Sequence, residues 1–243
     1  MDFQEFSQQN QPQKSTSEII SHAFETYKGV FLYAILAMVL YFVASMLIQP
    51  ISGFDSRAFS EEITSADGDF TSIDIWSIPG MKLYYGLSGL LGLVLAPLYV
   101  GVIYVANKYN FKQPVNFSDL FIGYKQNFLN IVIYSLISSI IFTVTFMMCL
   151  LPGLLVMPFL MLGYPILLFE NASFADALSK SFKIAKENYG TFLGVSLLSL
   201  LISISGILLC GIGIIATMPF FLVAMYSIYC AFLGRPRQIE FKN

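Results

Sequence analysis

Four stretches of this 243-residue chain contain no Asp, Glu, Lys, Arg or His: Val30 to Ile48, Leu83 to Asn107, Asn127 to Phe169 and Thr191 to Gly234. A bilayer core about 30 Å thick needs about 20 apolar residues per helix. The first two stretches therefore read as single spans. The last two are roughly twice that length, so each must fold back once. Cys149-Leu150-Leu151-Pro152-Gly153 and Cys210-Gly211-Ile212-Gly213 mark the expected external turns, because Pro withholds a helical donor and Gly accepts tight dihedrals. The reading is six transmembrane helices, near 30–48, 83–107, 127–149, 154–170, 191–209 and 213–234. Only 12% of residues are charged, against about 25% in soluble domains, too few to clothe a water-facing monomer. The net charge of −2 gives no support for nucleic-acid binding.

Orientation follows from the basic residues near the span ends. Lys14, Lys28, Lys108, Lys112, Lys125, Lys180, Lys183, Lys186, Arg235, Arg237 and Lys242 fall on one side, and only Arg57 and Lys82 on the other. Both termini are expected on the cytoplasmic side of a bacterial inner membrane. The connection 49–80 is then external. Its stretch Ile73-Asp74-Ile75-Trp76-Ser77-Ile78 either lies along the interface with Trp76 as anchor or is a solvated loop. No cleavable signal peptide is expected. Residues 1–14 read as a disordered, Gln-rich N-terminus.

The chain also matches itself three times. Ser15-Thr16-Ser17-Glu18, Asn116-Phe117-Ser118-Asp119 and Ser173-Phe174-Ala175-Asp176 share a capping grammar, a small polar N-cap followed by an acid at N3. Each leads through an aromatic–Lys pair (Tyr27-Lys28, Tyr124-Lys125, Phe182-Lys183) to a Phe-Leu step: Phe31-Leu32, Phe128-Leu129 and Phe192-Leu193. Pro97, Pro158 and Pro219 then recur inside the second span of each unit. The expected organisation is three tandem repeats, 15–115, 116–172 and 173–234, followed by a tail, 235–243. Each repeat is an interfacial amphipathic helix plus a kinked helical hairpin.

Phe174, Leu178, Phe182, Ala185 and Tyr189 recur at helical spacing in the third amphipathic stretch, as do Ile19, Ala23, Phe24 and Tyr27 in the first. Such helices either lie in the headgroup plane, with Lys28, Lys125, Lys180, Lys183, Lys186, Arg235 and Arg237 towards anionic phospholipid, or pack beneath the helices. The three prolines are expected to kink their helices. They either open a cavity or mark plain packing. Ser88, Gly92 and Ala96, and Ser199 and Ser203, are small residues spaced for close helix contact.

Chemistry inside a membrane ordinarily leaves ionisable groups there, and the spans hold none in their interiors. No catalytic residue, metal ligand set or cofactor is expected. His22, the sole histidine, reads as an interfacial residue on the polar side of its helix with Glu25. Cys149 and Cys210 are either a disulfide or small turn residues, and Cys230 a free thiol. Asn171-Ala172-Ser173 reads as a helix cap rather than a glycosylation acceptor.

The run from Ala177 to Tyr229 includes Tyr189-Gly190-Thr191-Phe192-Leu193, Cys210-Gly211-Ile212-Gly213 and Thr217-Met218-Pro219-Phe220. It resembles a broad group of bacterial six-span membrane proteins. That group includes the membrane domain found beside glycerophosphodiester phosphodiesterases and several uncharacterised families. The resemblance covers residues 15–234 and implies the fold. The phosphodiesterase activity does not carry over to these membrane helices. Some similar proteins carry a beta-carotene monooxygenase label, and one histidine cannot supply the several ligands of an iron site. The expected function is a non-catalytic accessory or scaffold subunit contacting the phospholipid bilayer or other membrane proteins. The alternative is a transporter or channel for an apolar or lipid-like solute.

Overall fold

The computed structural model describes residues 11–66, 73–148, 150–208 and 213–236. In chain order its helices are α1 (Thr16–Met46), α2 (Ile48–Ser52), α3 (Ser56–Ser65) and α4 (Met81–Asn110), then a 3-10 turn (Phe117–Phe121) and α5 (Ile122–Lys125). There follow α6 (Phe128–Met148), α7 (Leu150–Leu160), α8 (Gly163–Phe169), α9 (Phe174–Glu187) and α10 (Tyr189–Ser205). A 3-10 turn (Gly206–Leu208), α11 (Gly213–Thr217) and α12 (Phe220–Leu233) close the series. Six stretches are long and apolar enough to cross a membrane: Thr16–Ser52, Met81–Asn110, Phe128–Met148, Leu150–Phe169, Tyr189–Leu208 and Gly213–Leu233. No strand occurs among the described residues. The protein is an all-α, multi-pass membrane protein.

Each of the three capping sequences opens a helix. The Glu18 N–H donates to Ser15 Oγ at 3.4 Å. The Asn116 N–H donates to the Asp119 carboxylate at 2.7 Å. Ser173 Oγ accepts from the Asp176 N–H at 3.2 Å and donates to its carboxylate at 2.6 Å. These bonds satisfy donors that a helix start leaves free.

The structure corrects the sequence reading in three places. First, α1 runs unbroken from Thr16 to Met46, so the first amphipathic stretch is the extension of its span and not a separate interfacial helix. The other two stretches are separated from their spans by asparagines. Asn127 takes a left-handed backbone (φ 54°) between α5 and α6, and Asn188 (φ −127°) stands between α9 and α10. Counted from the Phe-Leu step, their counterparts in α1 are Val30 and Tyr27, both helical and buried, and the intervening glycine, Gly29, is helical too. A Cβ there would lie 2.0 Å from the Tyr109 ring, so the glycine serves close packing. Second, Pro152 and Gly153 lie inside α7 and Gly213 opens α11, so these three are helical and not turn residues. Pro152 is the third residue of its helix, where its missing N–H would have had no helical partner. Cys149, Cys210, Gly211, Arg237 and Lys242 lie outside the described residues. Third, among the described residues nothing comes within 4 Å of a Cβ built on Gly92, so the expected close contact is not made there with any of them.

Two compact units are distinguished, Met1–Met38 with Ala96–Asn243, and Val39–Leu95. In the smaller unit the connection 49–80 is partly helical. Asp55 caps α3, accepting from the N–H groups of Arg57 (2.9 Å) and Ala58 (3.1 Å). The Asp55 N–H donates to the Pro79 carbonyl at 3.2 Å, and Phe54 stacks on Tyr84 at 4.8 Å. The alternating stretch around Trp76 is a turn held by Asp74, whose carboxylate accepts from the Trp76 N–H at 3.1 Å. Trp76 itself is half exposed and packs against Tyr85.

In the larger unit, backbones approach closely. A Cβ on Gly101 of α4 would meet the Leu120 carbonyl oxygen at 1.9 Å, and one on Gly123 of α5 the Pro97 oxygen at 2.5 Å. Helix α9 packs on α7 and α8 through a stripe of Ala177, Ser181 and Ala185, all fully buried. Small residues four apart permit that approach.

Candidate functional site

Two features of the larger unit concentrate polar groups against apolar helices. The first is a hydrogen-bonded cluster joining α1, α4 and α12. His22 Nδ1 is 2.9 Å from Ser227 Oγ, and its Nε2 is 3.2 Å from Asn110 Nδ2. Asn110 Nδ2 also donates to the Tyr226 phenol oxygen (3.3 Å), and that phenol donates to Asn107 Oδ1 (3.2 Å). Thr26 Oγ1 donates to Asn110 Oδ1 at 3.3 Å. His22 is therefore a member of an interhelical network rather than an ordinary interfacial residue. Helical geometry explains it, because His22 and Thr26 stand one turn apart on α1, as Asn107 and Asn110 do on α4. Reading only titratable residues in the spans misses Asn107, Asn110 and Tyr226. The signal that finds them is amide and phenol side chains near the ends of otherwise apolar runs. Beside the cluster lies an open cavity of about 350 Å³ bordered by Glu18, His22, Glu25 and Asn110.

Next to it Lys108 and Asp119 pair at 2.7 Å, with side chains only 13% and 11% exposed. The pair ties the end of α4 to the 3-10 turn that follows it.

The second feature is the set of helix interruptions near the prolines. Pro158 lies two residues before the end of α7, and α8 begins at Gly163. An interruption frees backbone groups, which at membrane depth need internal partners. Ser181 of α9 supplies two bonds here. Its Oγ donates to the Phe159 carbonyl at 2.6 Å and accepts the Leu162 N–H at 3.2 Å. The Tyr134 phenol donates to the Leu160 carbonyl at 2.8 Å. Pro219 stands at the N-cap of α12. There the Tyr27 phenol donates to the Ala216 carbonyl, and Thr217 Oγ1 to the Ser203 carbonyl at 2.6 Å. Pro97, by contrast, is buried within an uninterrupted α4.

Between α6, the α7–α8 break and α12 is a cavity of about 190 Å³. Its wall includes Tyr134, Ser138, Met157, Tyr164, Phe221 and Met225. Ser138 is 8% exposed, and its hydroxyl makes no hydrogen bond among the described residues.

The basic residues named from the sequence divide into two groups. Lys28 pairs with Glu25 at 2.7 Å, both largely exposed. Lys180 pairs with Glu170 at 2.6 Å, and Glu170 also accepts from the Tyr229 phenol at 3.3 Å. Arg235 sets its guanidinium 5.7 Å from the Phe111 ring centre, and one of its nitrogens is buried with no partner among the described residues. Lys125, Lys183 and Lys186 are exposed and form no ion pair among the described residues. Beside Lys125, burial pushes the Tyr124 phenol above its ordinary pKa. Beside Lys183, Phe182 is 48% exposed. Cys230 is a buried free thiol. No cluster of three or more His, Cys, Asp or Glu with metal-holding geometry occurs among the described residues. Compared with known proteins, the chain matches no family model, no curated protein sequence and no solved structure.

Proposed function

We propose that this protein is a non-catalytic membrane component that gathers anionic phospholipid, and partner membrane proteins with it, at a basic surface built around α9. The supporting observation is the division of labour on that helix. Its Ala177–Ser181–Ala185 stripe is spent on α7 and α8, while Phe182, Lys183 and Lys186 remain at the surface. An aromatic beside unpaired lysines on an amphipathic helix suits the boundary between headgroups and acyl chains. On this reading the basic side is cytoplasmic, in a bacterial inner membrane. The resemblance to six-span bacterial membrane domains is the fold-level part of the proposal.

A lysine near an anionic membrane surface contributes about 1 kcal/mol, or about fivefold in lipid retention. The test is native mass spectrometry of the protein released from mixed phosphatidylglycerol and phosphatidylcholine. The native chain is expected to retain phosphatidylglycerol preferentially, and a Lys125→Gln, Lys183→Gln, Lys186→Gln variant to lose that preference. Equal retention of both lipids by the native chain would refute it.

A second reading, passage of an apolar or lipid-like solute, is favoured by the cavity beside the α7–α8 break. It predicts that proteoliposomes accelerate transbilayer movement of such a solute. A rate equal to that of protein-free vesicles would remove it.

A further inference from the structure

We propose that the cavity at the α7–α8 break is a binding site for a lipid-soluble ring carrying one carbonyl or hydroxyl oxygen. Volume sets the size of the occupant. A cavity of about 150 Å³ lined by aliphatic and aromatic side chains holds one benzene ring, and drug-sized sites run to about 300–1,000 Å³. At about 190 Å³ this one takes a ring with a small substituent and is too small for a diacyl lipid. The walls suit a ring. Tyr134 and Tyr164 meet edge to face at 5.1 Å, and Met157 and Met225 adapt to irregular shapes.

Ser138 supplies the polar requirement. It is the eleventh of 21 residues in α6, about 15 Å along the axis from either end. A serine inside a helix ordinarily returns its proton to the carbonyl four residues back. Ser199 does so to Val195 at 2.6 Å, and Ser227 to Val223 at 3.0 Å. Ser138 does not, although it is nine-tenths buried. The neighbouring Tyr134 phenol gives its own proton to Leu160, and its oxygen, the acceptor beside Ser138, does not meet that hydroxyl at hydrogen-bonding geometry. A hydroxyl proton without a well-placed acceptor is costly in hydrocarbon, and an acceptor oxygen entering from the lipid phase relieves that cost. The site requires neither the headgroup surface nor transport.

The test uses the full chain in liposomes of neutral phosphatidylcholine, so that lipid charge plays no part and its failure leaves the headgroup reading untouched. Acetophenone, a one-ring ketone that labels C–H bonds on irradiation, serves as the probe, and adducts are mapped by peptide mass spectrometry. Adducts are expected to concentrate on Met157 and Met225. Cyclohexyl methyl ketone should displace the label at about three- to tenfold lower concentration than ethylcyclohexane, which has the same shape without the oxygen. Ser138→Thr should keep that preference, and Ser138→Ala should abolish it while leaving the adduct positions unchanged. Adducts spread over lipid-facing side chains such as Leu129 and Leu201 would overturn the proposal. So would equal competition by the two compounds, or a preference that survives in Ser138→Ala.

Discussion

Replacing Ser181 by Ala tests how the interrupted helix is tolerated. The serine is completely buried in a stripe whose other members are already alanine, so the change removes one oxygen and leaves the packing surface intact. It deletes the 2.6 Å bond to the Phe159 carbonyl and the 3.2 Å bond from the Leu162 N–H. Interhelical hydrogen bonds in membrane proteins contribute about 0.6 kcal/mol on average and up to about 1.7. A buried backbone group left without a partner costs about 1–3 kcal/mol. Two bonds to two backbone groups therefore place the loss at about 1–3 kcal/mol. Tyr134→Phe removes one bond to the same interruption and should cost about half as much. Because both side chains serve one break, their effects should not add. Ser199→Ala is the control, since Ser199 bonds only the carbonyl of its own preceding turn. Equilibrium unfolding in mixed micelles measures all four variants. A Ser181→Ala change within about 0.3 kcal/mol of native would show that the break needs no capping from α9.

Other outcomes are equally specific. Lys108→Met should destabilise the larger unit by about 3–5 kcal/mol because it strands the Asp119 carboxylate. Lys108→Met with Asp119→Leu should recover part of that loss, falling short by about 1 kcal/mol for the lost Asn116 N–H cap bond, and a thermal-shift comparison of the two separates pairing from packing. Gly101→Ala forces a Cβ onto the Leu120 carbonyl and should abolish the folded state, whereas Gly86→Ala meets nothing within 4 Å among the described residues and should not lower the melting temperature. Asp55→Ala removes two cap bonds from α3 and should cost about 1 kcal/mol, read as faster hydrogen exchange confined to residues 56–65. Asn127→Ala loses bonds to the Leu167 and Ala172 carbonyls and strains a left-handed backbone, so in a thermal-shift comparison it should destabilise more than Asn127→Gly, which loses the same bonds without the strain.

Much of this architecture is local, and local features are legible in sequence. A run without charges long enough to cross a bilayer has few other fates, and a serine or asparagine three residues before an acid marks a helix start at Thr16, Phe117 and Phe174 alike. What repetition suggested and the structure altered turns on single residues. Val30 and Tyr27 stand where the other units carry their interrupting asparagines, and the helix simply continues through them. Pro152 looked like a turn and sits where a helix accepts proline. The His22 cluster and the capping of the α7–α8 break were illegible because they join residues far apart in the chain. The 205 positions between His22 and Ser227 carry no mark that the two meet.

The central claim is that six helices cross the membrane, and cysteine accessibility tests it most directly. In a background with Cys149, Cys210 and Cys230 replaced by serine, single cysteines at Ser17, Ser60, Lys112, Met148, Asn171, Leu208 and Arg235 are treated with a membrane-impermeant maleimide in sealed vesicles. Six crossings predict that positions 17, 112, 171 and 235 react from one side and positions 60, 148 and 208 from the other. Reaction of position 60 from the same side as position 17, or of positions 112 and 171 from opposite sides, would contradict the count.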